Sequence, residues 1–182
     1  MQVFSLVSRL YEEQQDAIEA LFTGMDVLGV LPTGFGKTMI VFGLVVMYSY
    51  LLNGEFGSRK RLPSSRCFRP VAVVISPLIS IMSTQCQDFN KGAHGLQAVN
   101  LSGEVDARTR AKVVRGEYNV LFMSPESALG EYVKILKSAA YTLHFLLMKH
   151  ISSANGETNF ERTMPIYCVY AQWLVLLFHG QQ

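Results

Sequence analysis

The segment Leu31-Pro32-Thr33-Gly34-Phe35-Gly36-Lys37-Thr38 gathers the residue types that could hold a polyphosphate. Such an anion needs backbone N–H groups turned inward around it. Gly34 and Gly36 permit that turn, because glycine tolerates positive φ. The Lys37 ammonium would then sit on the β- and γ-phosphates, and the Thr38 hydroxyl would hold Mg2+. A helix opening at this point adds partial positive charge at its N-terminus. The general phosphate-loop pattern has glycine where this chain has Leu31, so the reading rests on Gly-Lys-Thr in a strand–turn–helix setting.

A second group is Ser76-Pro77-Leu78, directly after an apolar run. In an open parallel sheet, ligands bind beyond the carboxyl ends of the strands. A small hydroxyl there, together with the backbone N–H groups of a following helix, suits a nucleic-acid phosphate. The same serine is also an ordinary helix cap. The basic residues Arg59, Lys60, Arg61, Arg66 and Arg69 lie in one glycine-, serine- and proline-punctuated stretch, which reads as a solvated loop. His94, His144, His150 and His179 have no metal-ligand spacing.

These residues need elements to position them. Gln14, Ala17, Ile18 and Leu21 fall at helical spacing, and Thr23-Gly24 ends that helix. Residues 26–31 read as a buried strand, 37–52 as a helix, 71–75 as a second strand and 78–89 as a second amphipathic helix marked by Leu78, Met82, Gln85, Cys86 and Phe89. Residues 97–101 read as a short strand, Asp106 as the cap of a helix to Arg115, and 118–123 as another strand. A helix or helix pair is expected over 127–151, a polar loop to 163, and a strand over 165–170. Alternating helices and strands imply an α/β domain with a mostly parallel sheet.

Composition bounds the rest. The chain has 182 residues, 49% hydrophobic and 16% charged, which fits one domain and excludes a disordered chain. Three cysteines, with no CxxC pair, exclude a disulfide scaffold and fit a reducing compartment. A net charge of +2 is too small to argue for nucleic acid by itself. The longest uncharged stretch, residues 38–54, starts inside the phosphate-loop motif and is short for a membrane span, so no membrane partner is expected.

Pro32-Thr33-Gly34-Phe35-Gly36-Lys37-Thr38 is similar to motif I of superfamily 2 helicases, and the wider stretch from Leu10 to Thr38 resembles the N-terminal region of RecQ-type DNA helicases. Ser76-Pro77-Leu78-Ile79-Ser80-Ile81-Met82 resembles that family's motif Ia. Leu101-Ser102-Gly103 and Ser124-Pro125-Glu126 continue the likeness in order. The resemblance covers residues 8–129 and implies a three-layer RecA-like P-loop NTPase domain, incomplete here. Residues 1–130 would form the ATP-binding part and 131–182 a divergent segment.

It further implies ATP and Mg2+ as cofactors and single-stranded or forked DNA as partner. Residues 32–38 (Pro32, Thr33, Gly34, Phe35, Gly36, Lys37, Thr38) would hold the nucleotide, and Gln14 would read the adenine edge. Gln14 is preferred to Gln15 because it lies on the apolar stripe of its helix. Ser76, Pro77, Leu78, Ser102, Gly103, Ser124, Pro125 and Glu126 would follow the DNA strand. The implied activity is 3′–5′ DNA unwinding, and the implied compartment the nucleus.

Hydrolysis in that family needs an Asp-Glu-Ala-His block after the strand that follows the Ser-Pro-Glu segment. The aspartate orients Mg2+ and the glutamate positions the attacking water. This chain has no aspartate beyond Asp106, and beyond Gly130 only Glu131, Glu157 and Glu161. The expected site of the block, after residues 166–169, reads Tyr170-Ala171-Gln172-Trp173. The expectation is a truncated first motor domain that binds ATP and nucleic acid without hydrolysing ATP alone. The alternative is a non-enzymatic nucleic-acid or partner-binding module. A different P-loop kinase or GTPase is disfavoured by the Ser-Pro-Leu-Ile-Ser segment and the lack of an Asn-Lys-x-Asp guanine motif.

Overall fold

A computed structural model describes residues 10–32, 34–52, 70–92, 95–138, 142–151 and 172–179. The elements in chain order are α1 (Glu12–Phe22), β1 (Val27–Pro32), α2 (Thr38–Leu52), β2 (Pro70–Ile75), α3 (Ile79–Gly92) and β3 (Ala98–Asn100). They continue with α4 (Ala107–Val114), β4 (Val120–Met123), α5 (Pro125–Leu129), α6 (Val133–Ser138), β5 (Thr142–Ile151) and β6 (Gln172–His179). The basic residues 53–69 and the strand expected over 165–170 lie outside the described residues.

The six described strands form one sheet in the order β1-β6-β5-β2-β4-β3, and every pair is parallel. Parallel neighbours need crossover connections, which is why helices alternate with strands. This is the α/β architecture with a parallel sheet that the sequence implies. Two expectations change. Only a short helix pair follows Ser124, and residues 142–151 are a strand, not helix. Strands β5 and β6 stand between β1 and β2, so the described part of residues 131–182 belongs to the same sheet as residues 10–130.

Two apolar cores flank the sheet. On one face, Ala17, Ile18 and Leu21 of α1, Ile40, Val41, Leu44 and Val45 of α2, and Met82, Cys86 and Phe89 of α3 pack on Ala72, Val74, Val120 and Phe122. The buried set of α1 (Gln14, Ala17, Ile18, Leu21) follows the three-to-four-residue period of a helix face. Helix α2 is more apolar because more of it is enclosed, and no described helix is long and apolar enough to cross a membrane. On the other face, Val113 of α4, Ala128 of α5, and Tyr132 and Leu136 beside and within α6 pack on Val71, Val73, Ile75, Leu121 and Met123.

The layering is uneven. Three layers exist where α4, α5 and α6 cover β2, β4 and β3. At the β1 edge, Val27 and Leu31 join the first core, whereas Leu28 and Val30 on the opposite face are 69% and 58% exposed. Among the described residues no helix covers them. Among the described residues the second helical layer, and not the sheet, is the incomplete part.

Candidate functional site

Because every strand runs the same way, the turns after β1, β2, β3 and β4 all emerge at one edge of the sheet. That edge carries Gly34–Thr38, Ser76, Ser102 and Ser124, so chain direction alone gathers residues far apart in sequence.

The turn between β1 and α2 is closed. Gly34 and Gly36 have φ of +83° and +72°, in the left-handed region that favours glycine. A Cβ on Gly34 would meet nothing within 4 Å, while one on Gly36 would lie 3.0 Å from Gln14 Nε2. The Phe35 N–H donates to the Pro32 carbonyl (3.3 Å), and the Met39 N–H to that of Gly36 (2.8 Å). Thr33 lies outside the described residues.

Lys37, the residue before α2, is only 4% exposed, and its Nζ donates to the Pro32 carbonyl at 2.5 Å. The ammonium therefore folds back over its own loop. Burial pulls its pKa below the ordinary 10.5, since desolvation disfavours the charged form.

Gln14 ties α1 to this loop. It is 2% exposed; Nε2 donates to the carbonyls of Phe35 (2.7 Å) and Gly36 (3.2 Å), and Oε1 accepts from the Tyr11 N–H (3.0 Å). The two amide hydrogens point at the loop rather than at open space. Tyr11, itself exposed, stacks its ring on Phe35 with centroids 4.7 Å apart and planes at 26°.

Thr38 opens α2, and its Oγ1 accepts from Gln85 Nε2 of α3 at 2.9 Å. Gln85 Oε1 is buried and has no hydrogen-bond partner. Sequence reasoning placed Gln85 on the apolar face of its helix without giving it a role. The available signal was an amide three residues after Met82 and adjacent to Cys86, both of which are buried.

The strand-end serines are engaged, Ser76 and Ser124 buried and Ser102 half-buried. Ser76 Oγ accepts from the Leu78 N–H (3.2 Å), and Ser124 Oγ caps α5 by accepting from the Ser127 N–H (3.2 Å). The Ser102 hydroxyl donates to Asn100 Oδ1 (2.6 Å), and Asn100 Nδ2 donates to Ser83 Oγ of α3 (3.0 Å). The groups that face outward along this edge are Pro77, Leu78, Gly103 and Glu126, with Pro125 half-buried.

The strand that follows the Ser-Pro-Glu segment is β5, beside β2. Leu147 pairs with Ile75, the last residue of β2, so Met148, Lys149, His150 and Ile151 run beyond that neighbour's end. The stretch from Thr142 through Gly156 contains no carboxylate. The sequence places the acidic block after residues 166–169; the topology puts the end of the strand that follows the Ser-Pro-Glu segment at Ile151 instead. Among the described residues no cluster of His, Cys, Asp and Glu could hold a metal ion.

Comparison with known proteins agrees with this architecture. The family model for the DEAD/DEAH box helicase matches residues 11–148. The chain is 29% identical over 146 residues to the probable ATP-dependent DNA helicase RecS of Bacillus subtilis, covering 79% of this chain and 25% of the relative. It is 30% identical over 137 residues to the ATP-dependent DNA helicase Q-like SIM of Arabidopsis thaliana, covering 75% and 13%. It is 28% identical over 120 residues to the ATP-dependent DNA helicase RecQ of Haemophilus influenzae, covering 64% and 16%. The chain thus spans a quarter or less of the length of these relatives.

Among solved structures, the DUF1998 helicase MrfA bound to DNA superposes with a TM-score of 0.66 at 13% identity, over 97% of this chain and 26% of that one. The Pyrococcus furiosus Hef helicase domain superposes with a TM-score of 0.61 at 16% identity, over 100% and 35%. With the loop, the parallel sheet and a family match over more than half of its residues, the chain belongs to the DEAD/DEAH box helicase family.

Proposed function

We propose that the chain binds ATP with Mg2+ in the turn between β1 and α2, and nucleic acid along the neighbouring strand ends. In this reading it is the first motor domain of a RecQ-type, 3′–5′ DNA helicase. The observation that carries the reading is the closed turn, with two left-handed glycines and a buried ammonium folded over it.

The residues fit the nucleotide and its metal. A lysine desolvated inside a glycine turn gains when an anion replaces its contact with a neutral carbonyl. The orphaned Gln85 Oε1 beside Thr38 marks a polar position that lacks a donor. Lys37 would hold the phosphates, the N–H groups of Gly34, Gly36, Lys37 and Thr38 would orient them, and Thr38 Oγ1 would ligate Mg2+. When bound, the metal neutralises charge on the phosphate oxygens. Gln14 would fix the loop from behind; its proposed contact with the adenine edge would need its amide to leave one of its two loop carbonyls. Pro77, Leu78, Gly103 and Glu126 are the exposed groups available to a DNA strand, and Ser76, Ser102 and Ser124 would act through the backbone they hold in place.

Hydrolysis by this chain alone is not part of the reading, because β5 brings no carboxylate to the edge where the water must be activated. That same feature favours a second reading, a nucleic-acid-binding module without enzymatic activity. An ATP titration of the purified chain with Mg2+, with and without single-stranded DNA, separates the two. The motor reading expects saturable ATP binding that Lys37→Ala weakens about 10- to 100-fold, the range for losing one or two charge-assisted hydrogen bonds. DNA affinity that ignores ATP and survives Lys37→Ala establishes the module instead.

A further inference from the structure

We infer that Gln85 is a positioning residue for Thr38, serving its hydroxyl in two hydrogen-bonding states. The inference rests on the proposed nucleotide and metal site and names a residue of α3 as part of its control.

Without metal, Thr38 Oγ1 is an acceptor, and Gln85 Nε2 supplies the proton at 2.9 Å. The other end of the same amide, Oε1, is a buried acceptor with no donor. A buried unsatisfied acceptor is costly, and native structures keep few of them. The chemistry of Thr38 gives this one a use. A hydroxyl whose lone pair is taken by a divalent cation becomes a stronger donor and a poorer acceptor. Its proton then needs an acceptor, and β5 offers no carboxylate past Leu147. A half-turn of the Gln85 amide presents Oε1 to that proton without moving the helix. A primary amide carries a donor and an acceptor on one rotatable group, so it can donate in one state and accept in the other.

The position of Gln85 adds a second consequence. Helix α3 begins at Ile79, immediately after Ser76-Pro77-Leu78 at the candidate DNA edge, and Gln85 lies on its inner side together with Met82, Cys86 and Phe89. A hydrogen bond bridging 47 residues thus joins the helix that leaves the DNA edge to the hydroxyl at the metal position. Bound nucleotide with Mg2+ and bound strand would each bias the same contact, and such a coupling is reciprocal.

Three chains test this: the unaltered protein, Gln85→Met and Gln85→Glu. Methionine keeps the volume and removes both hydrogen-bonding functions; glutamate keeps only the acceptor. Affinity for a non-hydrolysable ATP analogue is measured with Mg2+ and with EDTA, and thermal unfolding is followed beside it. In the unaltered chain Mg2+ strengthens binding. Gln85→Met reduces that Mg2+-dependent gain about fivefold, the size of one net hydrogen bond, while affinity in EDTA is unchanged. Gln85→Glu keeps the gain or enlarges it. Equal loss with and without Mg2+ in both variants, or no loss in either, overturns the inference and leaves the nucleotide site standing. No analogue binding by the unaltered, folded chain overturns the site reading and this inference with it.

Discussion

The turn after β1 and the far end of β5 reach the same level of one sheet edge: Pro32 pairs with His179, and His179 with Ile151. Their furnishing differs. At the turn, Gln14, Lys37 and Thr38 are each held by a hydrogen bond to the loop or to α3, and the backbone adopts the left-handed geometry that a phosphate cradle needs. Beyond the end of β2, β5 continues as Met148-Lys149-His150-Ile151, with no acid among them. The comparison separates two functions that one P-loop domain normally combines. Holding a polyphosphate needs the turn alone, whereas breaking its terminal bond needs a group that positions water on the opposite side. In this chain the residues proposed for the first are gathered at the turn, while the described strand β5 carries no carboxylate for the second.

The largest expected effect removes the difference. Met148→Asp combined with Lys149→Glu places two carboxylates on the first residues of β5 that pass the end of β2. The proposed reading expects ATP hydrolysis by the double variant, with Mg2+ and single-stranded DNA present, to exceed that of the unaltered chain about tenfold. That is below the roughly 100- to 10,000-fold that a positioned general acid or base contributes, as befits a domain acting alone. Phosphate release at equal ATP occupancy is the measurement. An unchanged rate with unchanged ATP affinity would show that the bare end of β5 is not what limits turnover.

The uneven legibility of the sequence follows the same division. The helix face of α1 and the turn were readable because each is a local pattern: one period of 3.6 residues, and one glycine-spaced motif before a helix. Strand β5 was not readable. Its run Leu143-His144-Phe145-Leu146-Leu147-Met148-Lys149 is rich in helix-favouring residues, with β-branched Thr142 and Ile151 only at the ends. A continuous apolar run carries no period that distinguishes a central strand from a buried helix. Its state is set by pairing with β2 on one side and β6 on the other, contacts that no local window contains. Gln85 escaped for a related reason: its partner is 47 residues away, and an amide on an apolar stripe announces that it needs a partner without naming one. Conversely, Ser76 and Ser124 stand at the strand ends where the sequence puts them, yet their hydroxyls serve the turn and the cap, the ordinary role of serine at a helix start.

A smaller effect sharpens the turn's side of the comparison. Gly36→Ala forces a Cβ into a left-handed residue and sets it 3.0 Å from Gln14 Nε2, so it disturbs both the backbone and the amide that fastens α1 to the loop. The backbone cost is about 1–2 kcal/mol, which lowers Tm by a few degrees in a domain of this size. Gly103→Ala is the control at the same sheet edge. A Cβ there meets nothing within 4 Å, so its stability stays within about 0.5 kcal/mol of the parent. ATP affinity falls in the first variant and is unchanged in the second. Equal melting temperatures in the two would mean that the turn tolerates a side chain and is not a constrained cradle.

The smallest expected effect is a pair of opposing slopes with pH, and its value lies in their opposite signs. Burial lowers the Lys37 pKa below 10.5, so between that lowered value and 10.5 the unfolded chain binds more protons at this residue than the folded one. On this group's account the ligand-free protein gains stability as pH rises through the window. The gain is complete above the unfolded pKa and lost again as pH falls through the folded one. Nucleotide binding at the proposed site would run the other way: the charged ammonium would hold the phosphates, so affinity would decline as pH rises through the lowered pKa. Thermal unfolding from about pH 8 to about 10.5, with and without ATP and Mg2+, therefore gives melting curves whose ligand-induced shift shrinks while the ligand-free baseline rises relative to that of Lys37→Met. The variant removes the titrating group and shows neither slope. Parallel slopes in the two proteins would mean that Lys37 is not desolvated at the turn, and the contrast between a furnished loop and a bare strand end would lose its electrostatic half.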